Sequence, residues 1–106
     1  MHDLIYVTAA NREAALVIAR TLVRQRLVAC ANVIDGVTSV YWWDGKVNEG
    51  PEAVMVAKTR SDLTSAVIAR IKEIHEYSCP CVVALEIRDG NQAFLDWINR
   101  ETVQAP

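Results

Sequence analysis

Residues 28 to 59 hold two long β-rich runs, "VACANVIDGVTSVYWW" and "KVNEGPEAVMVAKT", joined by Asp44-Gly45. Asp-Gly suits a two-residue turn in which both positions need φ > 0, so the segment reads as one long hairpin. If Ala29 to Trp43 is a single strand at ~3.3 Å per residue it spans roughly 45–50 Å, whereas a globule of ~100 residues is only about 35 Å across. The tip therefore overhangs its own domain. It carries Val40, Tyr41, Trp42 and Trp43, and strand alternation puts the two tryptophans on opposite faces. Covering both requires a neighbouring element, which in so small a chain is another subunit. Asp35-Gly36 is read as a bulge or bend in this strand; the alternative, a turn there, gives a compact three-strand meander with the tryptophans inside the monomer.

Composition points the same way. The 106 residues fit one domain spanning 1–106, and 52% hydrophobic with 23% charged residues is globular. A domain of this size buries only ~60–68% of its unfolded surface, so the mean hydropathy of +0.12 leaves apolar side chains for self-association. The formal net charge is −2, with eight arginines and three lysines scattered along the chain, which excludes a nucleic-acid stripe. Arg20, Arg24 and Arg26 read as a solvated helix face. The N-terminus, "MHDLIYVTAA", has no basic leader, and no apolar run is long enough to span a membrane, so a cytoplasmic location is expected. Three cysteines without a secretion signal argue for reduced thiols.

Around the hairpin the elements alternate. "LIYVTA" reads as a strand, and a helix follows, capped by Asn11, with Ala15, Ile18, Ala19, Leu22 and Val23 on one face and an end near Leu27. After Thr59, Ser61 or Asp62 can cap a second helix carrying Leu63, Val67, Ile71 and Ile74, which runs out near His75. Pro80 disfavours helix at Cys79; "CVVALEI" reads as a buried strand, and Asn91 can cap a last short helix with Phe94, Leu95 and Ile98 on one side. The order is βαββαβ plus a terminal helix. Helices on one face of a mainly antiparallel sheet, a ferredoxin-like α+β sandwich, fit it.

The stretch "HEYSCPC", residues 75 to 81, packs the interior histidine and two of the three cysteines into seven positions. Cys79 and Cys81, two apart in an extended segment, point to one side, and soft thiolates suit copper or zinc, with His75 as a third ligand. One pair without a second is a weak zinc signature. Ordinary packing or a strained disulfide are the other readings of the pair. A thiolate nucleophile with His75 is disfavoured because a helix C-terminus raises the thiol pKa. No phosphate loop, zinc-protease helix or serine elbow is present, the strands lack the paired aromatics of RNA-binding domains, and no enzyme is expected.

"VTAANREAALVIARTLVRQRLVACANVIDGVTSVYWWDGKV", then "MVAKT", His75-x-Tyr77-x-x-Pro80 and "FLDWI" closely resemble the CutA family of divalent-cation tolerance proteins over nearly the whole chain. The resemblance implies a ferredoxin-like domain related to PII signalling proteins, assembled as a homotrimer in which long hairpins extend sheets between subunits. It implies ligand sites in inter-subunit clefts, with Tyr41, Trp43, Lys58, Thr59, His75 and Tyr77 as cleft residues, and Val40, Tyr41, Trp42 and Trp43 at the trimer interface. Two places departing from the family pattern are Glu76 and Cys81. Val7 and Ile74 occupy positions that some bacterial relatives give to a copper-linked cysteine and histidine, so that ligand set is absent; Cys30 matches the family motif and reads as a buried, inert thiol. Two functions follow: a copper- or zinc-binding tolerance protein using His75, Cys79 and Cys81, or a PII-like sensor or scaffold for a small anionic ligand, which Lys58 and Arg60 would favour.

Overall fold

The computed structural model describes residues 1–103. It contains β1 (His2–Ala9), α1 (Arg12–Arg24), β2 (Cys30–Trp43), β3 (Lys46–Arg60), a single 3-10 turn (Ser61–Leu63), α2 (Thr64–Ile74), β4 (Val82–Ile87) and α3 (Gln92–Glu101). The four strands form one sheet in the order β2-β3-β1-β4 with every neighbour antiparallel, the ferredoxin-like arrangement. Ile5, Val7, Met55 and Ala57 project from one face of the sheet into a core shared with Ile18 and Leu22 of α1 and Val67 and Ile71 of α2. Helical spacing makes this possible, since Ala15, Ile18, Ala19 and Leu22 are the buried residues of α1.

The helix ends are set by local chemistry. Asn11 Oδ1 accepts the Ala14 amide at 2.8 Å, an N-cap. At the other end α1 stops at Arg24, three residues short of the expected Leu27, because Arg26 turns into the left-handed region at φ 56°. The Arg26 and Leu27 amides then donate back to Val23 and Leu22, a Schellman-type cap with arginine where glycine is usual. Arg26 therefore lies beyond the helix face on which the sequence placed it. Its guanidinium donates to the Glu101 carbonyl at 3.2 Å and carboxylate at 3.1 Å, and its carbonyl accepts the Val103 amide, tethering the end of α3. Ahead of α2, the Asp3 carboxylate accepts the Ser61 and Thr64 hydroxyls, so a residue of β1 organises that helix start.

The hairpin is continuous. β2 pairs with β3 from Cys30↔Lys58 to Trp43↔Lys46, with one irregularity between Ile34 and Val37, where Asp35 and Gly36 face the single residue Ala53. Gly36 sits at φ +75°, and its amide bonds to the Asp35 carboxylate. This is a bulge; the three-strand meander does not form. Asp44 and Gly45 both have positive φ and close the tip. Fourteen residues of β2 stretch the molecule to 43 Å along one axis against 26 and 22 Å across it.

The bulge also re-phases the side chains. Before it, Cys30, Asn32 and Ile34 share the face of the sheet opposite α1 and α2 with Lys58, Val56 and Val54; after it, Val37, Tyr41 and Trp43 share that face with Glu52, Asn48 and Lys46, while α3 packs over its far end, where Asn99 bonds His2. Val40 and Trp42 go to the other side. Thr59 lies on the helix side, fully buried, and its hydroxyl donates to the Leu27 carbonyl at 2.6 Å. Thr59→Val keeps the shape but leaves that carbonyl unpaired, with an expected loss of about 1–3 kcal/mol in chemical denaturation. Unaltered stability would show that the hydroxyl is replaceable.

Candidate functional site

α2 ends at Ile74, and the chain from His75 to Cys81 crosses to β4 as an irregular segment. His75 fixes its path. Its Nδ1 accepts the Tyr77 amide at 3.0 Å, which requires the proton on Nε2, and Nε2–H donates to the Thr8 carbonyl at 2.7 Å. Both ring nitrogens are thereby engaged, and the imidazole packs against the Tyr77 ring at 4.7 Å between centroids. A metal ion at His75 would have to displace one of those bonds.

With its backbone held, Tyr77 reaches across β1 towards the hairpin, and its hydroxyl donates to Glu52 Oε2 at 2.8 Å. The space between is a cleft of about 330 Å³ on the face opposite α1 and α2, walled by Tyr41 and Trp43 on one side and Tyr77, Ser78 and Cys79 on the other, with Glu52 and Thr8 completing it. Burial, and next the bond to the Glu52 carboxylate, push the Tyr77 phenol up to about 12; the charge of Glu52 and the proximity of Tyr41 and Glu76 act in the same direction.

The sign follows from the neutral form being the one favoured by folding. The stabilisation is complete below the ordinary phenol value of 10.0 and is lost as pH rises from there through about 12. In a tyrosinate absorbance titration, one of the three phenols should ionise late, and Glu52→Gln should bring it back towards 10. No late phenol in the native protein, or one indifferent to Glu52, would refute the pairing.

The predicted residues divide into three groups. Tyr41, Trp43, Tyr77 and Cys79 meet in the cleft, and His75 stands behind it as the support of Tyr77. Cys81 is exposed at the head of β4 and does not line the cleft. Lys58 and Thr59 lie towards the opposite end of β3, Lys58 donating to Asn32 at 2.8 Å and Thr59 facing the core. Arg60 is bound to Asp62 at 2.9 Å and to Thr102 at 3.2 Å, and its guanidinium holds the Asp62 carboxyl below the usual range. Among the described residues no three His, Cys, Asp or Glu side chains converge as a metal cage within one chain. Cys30 is part-buried on the sheet face opposite α1 and α2.

Glu52 went unrecognised in the sequence. Its position in the "NEGPE" stretch reads as one more solvated strand charge, and only the register across the bulge brings it opposite Val37 and under Tyr77. No lysine or arginine lines the cleft among the described residues. The site is anionic and aromatic. At the hairpin tip the four expected interface residues are open: Val40 is 62%, Tyr41 47%, Trp42 75% and Trp43 58% exposed. No helix is long and apolar enough to cross a membrane among the described residues.

Comparison with known proteins identifies the architecture. The family described as CutA1 divalent ion tolerance protein matches residues 3–101. The divalent-cation tolerance protein CutA of Archaeoglobus fulgidus is 41% identical over 104 residues, covering 98% of this chain and 100% of that one. The chloroplastic protein CutA 1 of Oryza sativa is 41% identical over 98 residues, but the match spans 92% of this chain and only 55% of the rice protein. The crystal structure of CutA1 from Oryza sativa superimposes with a TM-score of 0.95 at 38% identity, covering 98% of this chain and 95% of that one. The Thermus thermophilus structure gives 0.94 at 38% identity, with 97% and 100% covered. The chain belongs to the CutA1 divalent ion tolerance family.

Proposed function

We propose that this chain is a non-enzymatic cation-binding protein serving divalent-cation tolerance, working as a homotrimer whose ligand sites are the clefts walled by Tyr41, Trp43 and Tyr77 and closed by a neighbouring subunit. The observation that carries this reading is the charge of the cleft: Glu52 and the Cys79 thiol line it with no lysine or arginine beside them among the described residues. A carboxylate attracts cations and repels anions, and a cysteine sulfur is a ligand for soft metal ions. Lys58 and Arg60, which an anion-sensing protein would present to its ligand, are bonded elsewhere. The ion is copper or zinc, taken by the Cys79 thiolate of the cleft and the Cys81 thiolate just outside it, with further ligands from a second copy. The exposed, unpaired thiols suit a reducing, cytoplasmic setting.

Calorimetric titration of the reduced protein with monovalent copper and zinc tests the metal. Saturable binding tighter than about 10 μM, ~−6.8 kcal/mol, is expected, weakened at least about tenfold by Cys79→Ser with Cys81→Ser. Weaker binding, or binding indifferent to both cysteines, would refute it. Light scattering should give about three times the 11.8 kDa of one chain.

A further inference from the structure

Glu52 is part-buried, and among the described residues it has no basic partner; its only hydrogen bond is the one it accepts from Tyr77 through Oε2. Its charge faces a cleft that three aromatic rings, Tyr41, Trp43 and Tyr77, share with Thr8, Ser78 and Cys79. The floor between Tyr41 and Glu52 is unobstructed, because on β3 the intervening residue of the same face is Gly50, which has nothing within 4 Å of where a side chain would begin.

The Glu52 carboxylate with its aromatic neighbours, apart from the thiols, does not suit a hydrated divalent ion: one carboxylate supplies too few oxygens, and aromatic faces supply none. An organic ammonium uses all of it. Its charge is spread over carbon-bound hydrogens that lie against π faces, its alkyl groups fill apolar volume, and a single carboxylate neutralises it. Tyr77 fits that role as well. Its hydroxyl is spent on Glu52, so the ring is held in place with its face and not its oxygen available to a ligand, and one oxygen of Glu52 is left for the cation.

We propose that this cleft binds an organic ammonium ion, with its charge at Glu52 and its alkyl groups against Tyr41, Trp43 and Tyr77. The proposal rests on the reading of the cleft as a cation site and assigns the ammonium to the Glu52 carboxylate and the aromatic walls, whereas the metal is assigned to the Cys79 and Cys81 thiolates. The cationic ligand is recognised by shape and charge together, which distinguishes it from a simple counter-ion on a surface carboxylate.

The test is calorimetric titration of the native, reduced protein with choline, and in parallel with its uncharged carbon isostere, in which carbon replaces nitrogen. Choline should bind saturably, the isostere at least about tenfold more weakly, and Glu52→Gln should erase that preference. A choline affinity equal to that of the isostere, or a preference that survives in Glu52→Gln, overturns the proposal, as does no binding of either. The isostere comparison uses the unmodified protein, so a poorly folded variant cannot obscure the result. Copper and zinc titrations on the same preparation keep the two ideas apart: metal uptake without choline binding overturns the ammonium site and leaves the metal reading, and choline binding without metal uptake does the converse.

Discussion

Replacing His75 by alanine should lower the stability of the folded chain by about 2–4 kcal/mol, the cost of leaving two part-buried backbone groups without their partners. The Thr8 carbonyl loses its 2.7 Å bond and the Tyr77 amide its 3.0 Å bond in one substitution. Denaturation should be followed at fixed protein concentration, because any assembly adds its own free energy to the transition. The consequence for the cleft is equally direct. Without the imidazole, nothing fixes the turn at Tyr77, and the phenol that ionises late through its burial and its bond to Glu52 should titrate closer to 10. His75→Asn separates the two bonds: its side-chain oxygen can accept the amide two residues on, as asparagine commonly does, but is too short to reach Thr8. It should recover roughly half of the loss. If His75→Ala instead leaves stability and the Tyr77 titration untouched and removes only metal uptake, the imidazole is a ligand and its hydrogen bonds are dispensable.

The sequence carried most of the fold because each element announces itself through a period. Ala15, Ile18, Ala19 and Leu22 recur at helical spacing and are the buried face of α1, and Asp44-Gly45 closes the hairpin with the positive φ values that its residue types favour. The cleft was partly legible. Tyr41, Trp43 and Tyr77 belong to it, yet Lys58 and Thr59, neighbours in one strand, point to opposite faces, so the pair could not have lined one cleft. Glu52 was hidden for a different reason. Its face is decided by pairing across a bulge, and its partner arrives from residue 77, so no local window contains the interaction. Arg26 was misplaced likewise, since its left-handed backbone is stabilised by Glu101 and Val103, far along the chain.

Trp42→Asp should convert the proposed trimer into monomers. Trp42 is 75% exposed in the single chain, and on the same face Val40 and Val47 are 62% and 59% exposed. Covering an indole of this exposure removes most of its 150–250 Å² from water, worth roughly 3–4 kcal/mol per subunit. A carboxylate in its place would lose that term and be desolvated besides. Within the chain the damage should be small. Trp42 faces Val47 across the ladder, and losing one exposed cross-strand pair costs only ~0.2–1 kcal/mol, so the hairpin and the helix-side core survive. Light scattering should therefore fall from about three times 11.8 kDa to a single chain, with far-ultraviolet circular dichroism preserved. Trp43 provides the contrast, because the bulge sends it into the cleft. If Trp43→Ala leaves the assembly intact and abolishes ligand binding, the two adjacent tryptophans have separate roles; if it too dissociates the subunits, the cleft wall and the interface are one surface. Should Trp42→Asp remain trimeric, the exposed tip is not what joins the subunits, and the sheet face opposite α1 and α2 with Ile34, Val83 and Leu85, each about half exposed, becomes the surface to disrupt next.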